Sequence, residues 1–210
     1  MTATRRLGAS DSDTRARLLD AAEQLMLREG YAAVSSRRVA AEAGIKPQLV
    51  HYYFRTMDDL FLETYRRRAT AGIDRFTQAM EVHRSLRTLC RFGTHLGGAT
   101  LNIEFVALAN HRKTIRDEIA HYAQRFRDLQ LEVIAAILDD HGVSADTCPP
   151  IVILVAMTGV TQVMALETAL GMTAGHPEMT AFVDAWIDGA ERDLARGIPP
   201  TLGSRRIVRS

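Results

Sequence analysis

Apolar residues recur at intervals of three and four along nearly the whole chain, and the strict alternation of a strand is scarce. That period is the helical one, so the pattern predicts an all-α protein of about nine helices. Leu18, Ala22, Leu25 and Met26 share one face of a helix predicted over 12–28, which stops at Gly30. Ser35 reads as the N-cap of a short helix carrying Val39, Ala40 and Ala43, and Gly44 ends it. Pro47, with its fixed φ and missing N–H, suits the first position of the next helix, over 47–53. Thr56 and Asp59 stand at capping-box spacing, with Asp for the usual Glu or Gln, and open a long helix over 57–80. Further helices are predicted over 85–95, 100–111, 114–140, 150–170 and 177–196. In the third of these Ile115, Ile119, Tyr122, Phe126, Leu129 and Val133 make a continuous apolar stripe.

Two short helices joined around Gly44, over SSRRVAAEAGIKPQLVHYYF, make a helix-turn-helix pattern. Ala40 is small where the helices cross, and Ile45, Val50 and Phe54 point inward. The outward face of the second helix carries Lys46, Gln48, Leu49, His51 and Tyr52. These are side chains that read base edges: Gln bonds adenine N6 and N7, and Leu contacts a thymine methyl. Tyr52 and Tyr53 bring hydroxyls suited to phosphate oxygens, and Ser35, Ser36, Arg37 and Arg38 add donors at a helix N-terminus.

The charge balance of the whole chain changes this picture less than it first suggests. Its 26 Lys and Arg against 25 Asp and Glu leave +1, which excludes a uniformly basic protein. The distribution is uneven: residues 128–199 carry 2 basic and 11 acidic groups, whereas 35–55 hold Arg37, Arg38, Lys46 and Arg55 against Glu42 alone. The excess is local, on the surface that would face phosphate. Arg outnumbers Lys by 24 to 2. Cys90 and Cys148 have no metal or disulfide spacing, which with the absence of a signal-like apolar run behind Arg5 and Arg6 predicts a cytoplasmic protein. The apolar stretch 151–172 is long enough to span a bilayer but includes Gln162 and Glu167 and lacks flanking cations, so a buried or partner-facing helix is expected there.

Residues 12–60 resemble the N-terminal domain of TetR-type transcriptional regulators, through the helix ending in Gly30-Tyr31, then VSSRRVAAEAG, IKPQLVHYYF and TMDDL. The rest of the chain matches that family in length and helix count without a specific motif. The resemblance implies a homodimer on a palindromic double-stranded DNA operator, usually a repressor released by a small-molecule effector. It also implies that Arg37, Pro47, Gln48 and Leu49 approach bases, and that His51, Tyr52 and Tyr53 approach bases or phosphates. Three positions depart from the family pattern. Met57 stands for a common phosphate-binding Lys, His51 for a Tyr, and Lys46 for a capping Ser or Thr. The expected layout is a flexible arm over 1–11, the helix-turn-helix domain over 12–56, an effector-binding and dimerisation domain over 57–196, and a flexible tail over 197–210.

For an effector cavity of the family type the candidates are Phe61, Tyr65, Phe92, Glu104, Phe105, His111, Tyr122, Phe126, Thr158 and Gln162. Glu104, His111 and Gln162 stand out, because a polar residue on a buried face must find a partner. Small residues in the last two helices, Ala156, Gly159, Ala165, Ala169, Ala185 and Gly189, permit close helix approach, and the resemblance places a dimer interface there. Trp186 and Phe182 suit that interface or the chain's own core. One competing pattern is the ExxH from Glu118 to His121, the spacing of a di-iron helical bundle. No second copy accompanies it, so no enzyme, metal or cofactor is expected. The alternative to a DNA-binding regulator is an all-α ligand-binding or metal-dependent bundle that does not recognise an operator.

Overall fold

The computed structural model describes residues 3–93 and 96–201; most of the tail expected to be flexible, 202–210, lies outside them. The described residues form nine α-helices and no strand. They are α1 Ala3–Glu29, α2 Ser36–Ala43, α3 Pro47–Tyr53, α4 Met57–Val82, α5 Leu86–Gly93, α6 Leu96–Ala109, α7 Lys113–Asp140, α8 Pro150–Ala169 and α9 His176–Leu194. The first helix begins at Ala3 rather than near Ser12, so most of the expected arm is helical. Nothing in 3–11 breaks a helix as proline would, and the Asp11–Ser12–Asp13 run does not act as its cap. A single 3-10 turn, Tyr31–Ala33, sits between α1 and α2 where a loop is expected.

The chain divides into two compact units, one of residues 1–73 with 97–123 and one of 74–96 with 124–210. In the first, Leu18, Leu25, Val39, Ala40, Val50, Phe54, Leu60 and Phe61 share a buried cluster with Leu101, Phe105, Leu108 and Ile115. The end of α6 and the start of α7 therefore belong with the helix-turn-helix, although they lie over forty residues further along the chain. In the second unit Phe76, Leu86, Leu89, Ile134, Leu138, Ile153, Leu154, Ala190 and Leu194 form the core. Trp186 packs against it and donates its Nε1–H to the Thr201 carbonyl at 2.9 Å, so it serves its own chain. Phe182 is 60% exposed.

The helix boundaries follow local chemistry. Ser35 Oγ accepts the Arg38 N–H at 3.4 Å, and Gly44 takes the left-handed φ of 65° that ends α2. Thr56 and Asp59 close a reciprocal box at the start of α4: the Thr56 N–H donates to Asp59 Oδ2 at 2.9 Å and the Asp59 N–H to Thr56 Oγ1 at 3.1 Å. Asp reaches where Glu is usual because its carboxylate still meets the N-cap amide.

Candidate nucleic-acid interface

The sequence SRRVAAEA folds as α2 because its apolar residues Val39, Ala40 and Ala43 fall on one face and bury there. Gly44 then reverses the chain, and the Ile45 N–H donates back to the Ala40 carbonyl at 2.9 Å. Pro47 opens α3; Lys46, in the N-cap position, gives no side-chain cap, as expected of its long ammonium stem. Within α3 Val50 is buried and Tyr53 packs partly against the same core, so the outward face of the helix stays open.

That face and the start of α2 hold the residues singled out above. Arg37, Arg38, Lys46, Pro47, Gln48, Leu49, His51 and Tyr52 are all exposed, Tyr52 to 71%, and Ser36 is half-buried. The side chains of Arg37, Lys46 and Gln48 have no hydrogen-bond or ion-pair partner among the described residues, so their donors are available to a ligand. Tyr52 stacks edge-on against Tyr53 with ring centres 5.0 Å apart, which holds both rings at the end of α3.

Three of the candidates are already engaged. Ser35 spends its hydroxyl on the cap of α2. Arg38 pairs with Glu29 at 2.5 Å while remaining 43% exposed, and the pairing holds the Glu29 carboxyl below its usual range. The Tyr53 hydroxyl donates to the Asp11 carboxylate, and that bond raises the phenol above its ordinary value. A phosphate would have to compete with these carboxylates.

A set of ion pairs that the sequence does not announce frames this surface. Arg28 grips Glu42 through two bonds of 2.9 and 2.8 Å, tying α1 to α2, and Arg17 donates to the Ala43 carbonyl at the end of α2. Arg67 and Arg68 reach back from α4 to Asp20 and Glu23 on α1. These partners lie 14 to 47 positions apart, beyond any local spacing rule, which is why the motif alone does not disclose them. Met57, where the family pattern has a phosphate-binding Lys, is half-buried against the core.

The effector candidates are spread over both units. Tyr65, Phe105 and Tyr122 form an edge-to-face chain in the first, with centres 5.1 and 5.9 Å apart, beside buried Phe61. Burial pushes the Tyr65 phenol up to about 12. Phe92 and Phe126 pack edge-on with Phe76 in the second unit, where Thr158 is half-buried. His111 and Gln162 are exposed, so the burial argument that singled them out does not apply to them. Glu104 is half-buried and has found its partner within the protein, accepting the Tyr31 N–H at 2.7 Å. Glu118, of the ExxH pair, is taken by Arg66 at 2.6 Å. Among the described residues no group of three or more His, Cys, Asp or Glu could hold a metal ion.

The all-α chain thus carries an N-terminal helix-turn-helix whose second helix offers an unspent, polar outward face, the form of a DNA-reading element. Residues 18–64 match the model of a family described as bacterial regulatory proteins, tetR family. No curated protein matches the chain. Among solved structures, a putative transcriptional regulator from Saccharomonospora viridis in complex with choline is 19% identical with a TM-score of 0.73, over 84% of this chain and 96% of that one. A putative TetR-family regulator from Rhodococcus sp. is 18% identical with a TM-score of 0.65, over 84% and 98%. A TetR-family member from Streptomyces coelicolor is 25% identical with a TM-score of 0.53, over 89% and 98%.

Proposed function

We propose that the protein acts in the cytoplasm as a homodimer that binds a palindromic operator, with Arg37, Pro47, Gln48, Leu49, His51 and Tyr52 facing the duplex, and that it represses until a small molecule binds. The observation that carries the reading is the free outward face of α3, on which only Val50 is buried. In this reading Gln48 and Leu49 meet base edges, and the exposed cationic side chains of Arg37 and Lys46 meet phosphates. Two such helices enter successive major grooves when their centres stand about 34 Å apart, so a ligand that favours another spacing releases the operator.

A twofold partner is supported by α8 and α9. Val152, Val155, Val163 and Leu166 on α8 and Met179 and Phe182 on α9 are all between 39% and 60% exposed, a run of large apolar surface that a soluble chain covers. By length and composition α8 could cross a membrane, but exposed apolar residues on both α8 and α9 fit a self-complementary interface better. The Saccharomonospora viridis protein holds choline, and by that likeness a small-molecule effector is proposed here too.

Selection of duplexes from a random pool tests the reading directly. A palindromic consensus is the expected result, and failure to enrich any sequence would refute it. On that duplex Gln48→Ala should erase about 1–3 kcal/mol of discrimination at one base pair in each half-site. Arg37→Ala should instead weaken binding to all sequences alike and flatten the salt dependence by about one unit. Unchanged discrimination in the Gln48 variant would remove that residue from base reading.

A further inference from the structure

Glu104 and Arg112 stand eight residues apart, at the end of α6 and just before α7, and each reaches a different end of the helix-turn-helix. At the start of the motif the chain leaves α1 through Gly30, at a φ of 80°. The Tyr31 N–H then opens the 3-10 turn, where no helical carbonyl can accept it. Glu104 Oε2 accepts it at 2.7 Å, and a Cβ at residue 30 would lie 3.2 Å from that oxygen. The positive φ favours glycine there, and the carboxylate's approach would leave an added Cβ closer than ordinary contact.

At the far end of the motif α3 stops at Phe54 and α4 begins, with Asp58 in its first turn. Asp58 Oδ1 is sealed from solvent and, among the described residues, is met only by the Arg112 guanidinium. That guanidinium also lies over the Phe61 ring, 5.8 Å from its centre. The two grips cannot shift independently. The His111 and Arg112 amides fold back onto the Leu108 and Ala109 carbonyls, and Phe105, Leu108 and Ile115 are buried in the cluster that holds α1, α2 and α3.

We propose that Glu104 and Arg112 are positioning residues for DNA recognition: from one corner of the fold they brace the helix-turn-helix at both ends and so set the orientation of α3. This rests on the DNA-binding reading above. Neither side chain is part of the surface offered to DNA, and neither contributes to the apolar core under α2 and α3. Both act on the joints at which those helices would otherwise turn. A base contact that depends on a few tenths of an ångström is lost when a joint loosens, whereas attraction to the phosphate backbone tolerates the slack.

The test uses the full chain, the duplex that the parent protein selects from a random pool, and a scrambled duplex of equal length. Glu104→Ala and Arg112→Ala should each weaken binding to the selected duplex about tenfold and to the scrambled one by less than about threefold. Glu104→Gln, which keeps an acceptor oxygen, should recover most of the loss. Adding Asp58→Asn to Arg112→Ala should leave the loss in place, because the joint stays untied, and it removes the unpaired carboxylate should the single variant fold poorly. Amide exchange supplies an independent reading: the Tyr31 N–H should exchange faster in Glu104→Ala than in the parent or in Glu104→Gln. Unchanged affinity for the selected duplex, or an equal fall for both duplexes, would overturn the proposal. If the parent selects no sequence, the DNA-binding reading fails by itself, and equal Tyr31 exchange in parent and Glu104→Ala then refutes the brace separately.

Discussion

Gly44 and Gly30 both hold positive φ, 65° and 80°, yet they are tied to the structure in different ways. A Cβ at Gly44 would meet only the flexible end of Arg17, at 3.5 Å, so alanine there bears the left-handed strain and little else. Gly44→Ala is therefore expected to lower unfolding free energy by about 1–2 kcal/mol in a urea titration. Gly30→Ala must in addition displace the Glu104 carboxylate by a few tenths of an ångström and should cost more than Gly44→Ala. Residues of the motif were legible wherever their partner is a near neighbour: the Ser35 cap, the Gly44 stop, Pro47 and the Thr56–Asp59 box all follow from spacings of four residues or fewer. Glu104 was legible only as a polar residue in want of a partner. The amide that satisfies it lies 73 positions away, and no periodicity points there.

At the scale of elements, the nine helices of the described residues and most of their ends can be read from apolar spacing and caps, because each helix must bury a stripe. What periodicity cannot give is which stripe meets which. The grouping of α6 with α1–α3 emerges only from packing, as does the exposure of α8, whose apolar residues suit a buried helix equally well. The exposed face makes a clear expectation: Phe182→Glu or Val163→Asp should convert a dimer to monomer in sedimentation analysis while leaving helical content unchanged. A dimer that persists in both variants would move the interface elsewhere. A second expectation concerns the pair that fastens α4 to α7. The Arg66 guanidinium donates to the Glu118 carboxylate and holds its pKa below the usual 4.5 despite partial burial. A depressed carboxylate stabilises the fold fully above its unfolded pKa, and that contribution disappears as pH falls through the folded value. Glu118→Gln should thus be less stable than the parent well above pH 4.5, and the gap should close on acidification below it. A gap independent of pH would assign the loss to packing.

For the molecule as a whole, the near-neutral charge is a sum of unlike parts. The acidic stretch 128–199 supplies α8, α9 and most of the second unit, while the basic groups of 35–55 gather on the helix-turn-helix. Nearly all of that basic charge is arginine, and this gives the exposed Lys46 an unusual chemical standing. The only other lysine is Lys113, at the start of α7, so an amine-directed acylating reagent has just two side chains to find, and one of them sits at the head of α3. Mass spectrometry of the acylated protein would accordingly report occupancy of the proposed recognition surface almost residue by residue. Bound duplex should shield Lys46 and leave Lys113 as an internal reference, and a protein acylated beforehand should bind DNA more weakly at low salt.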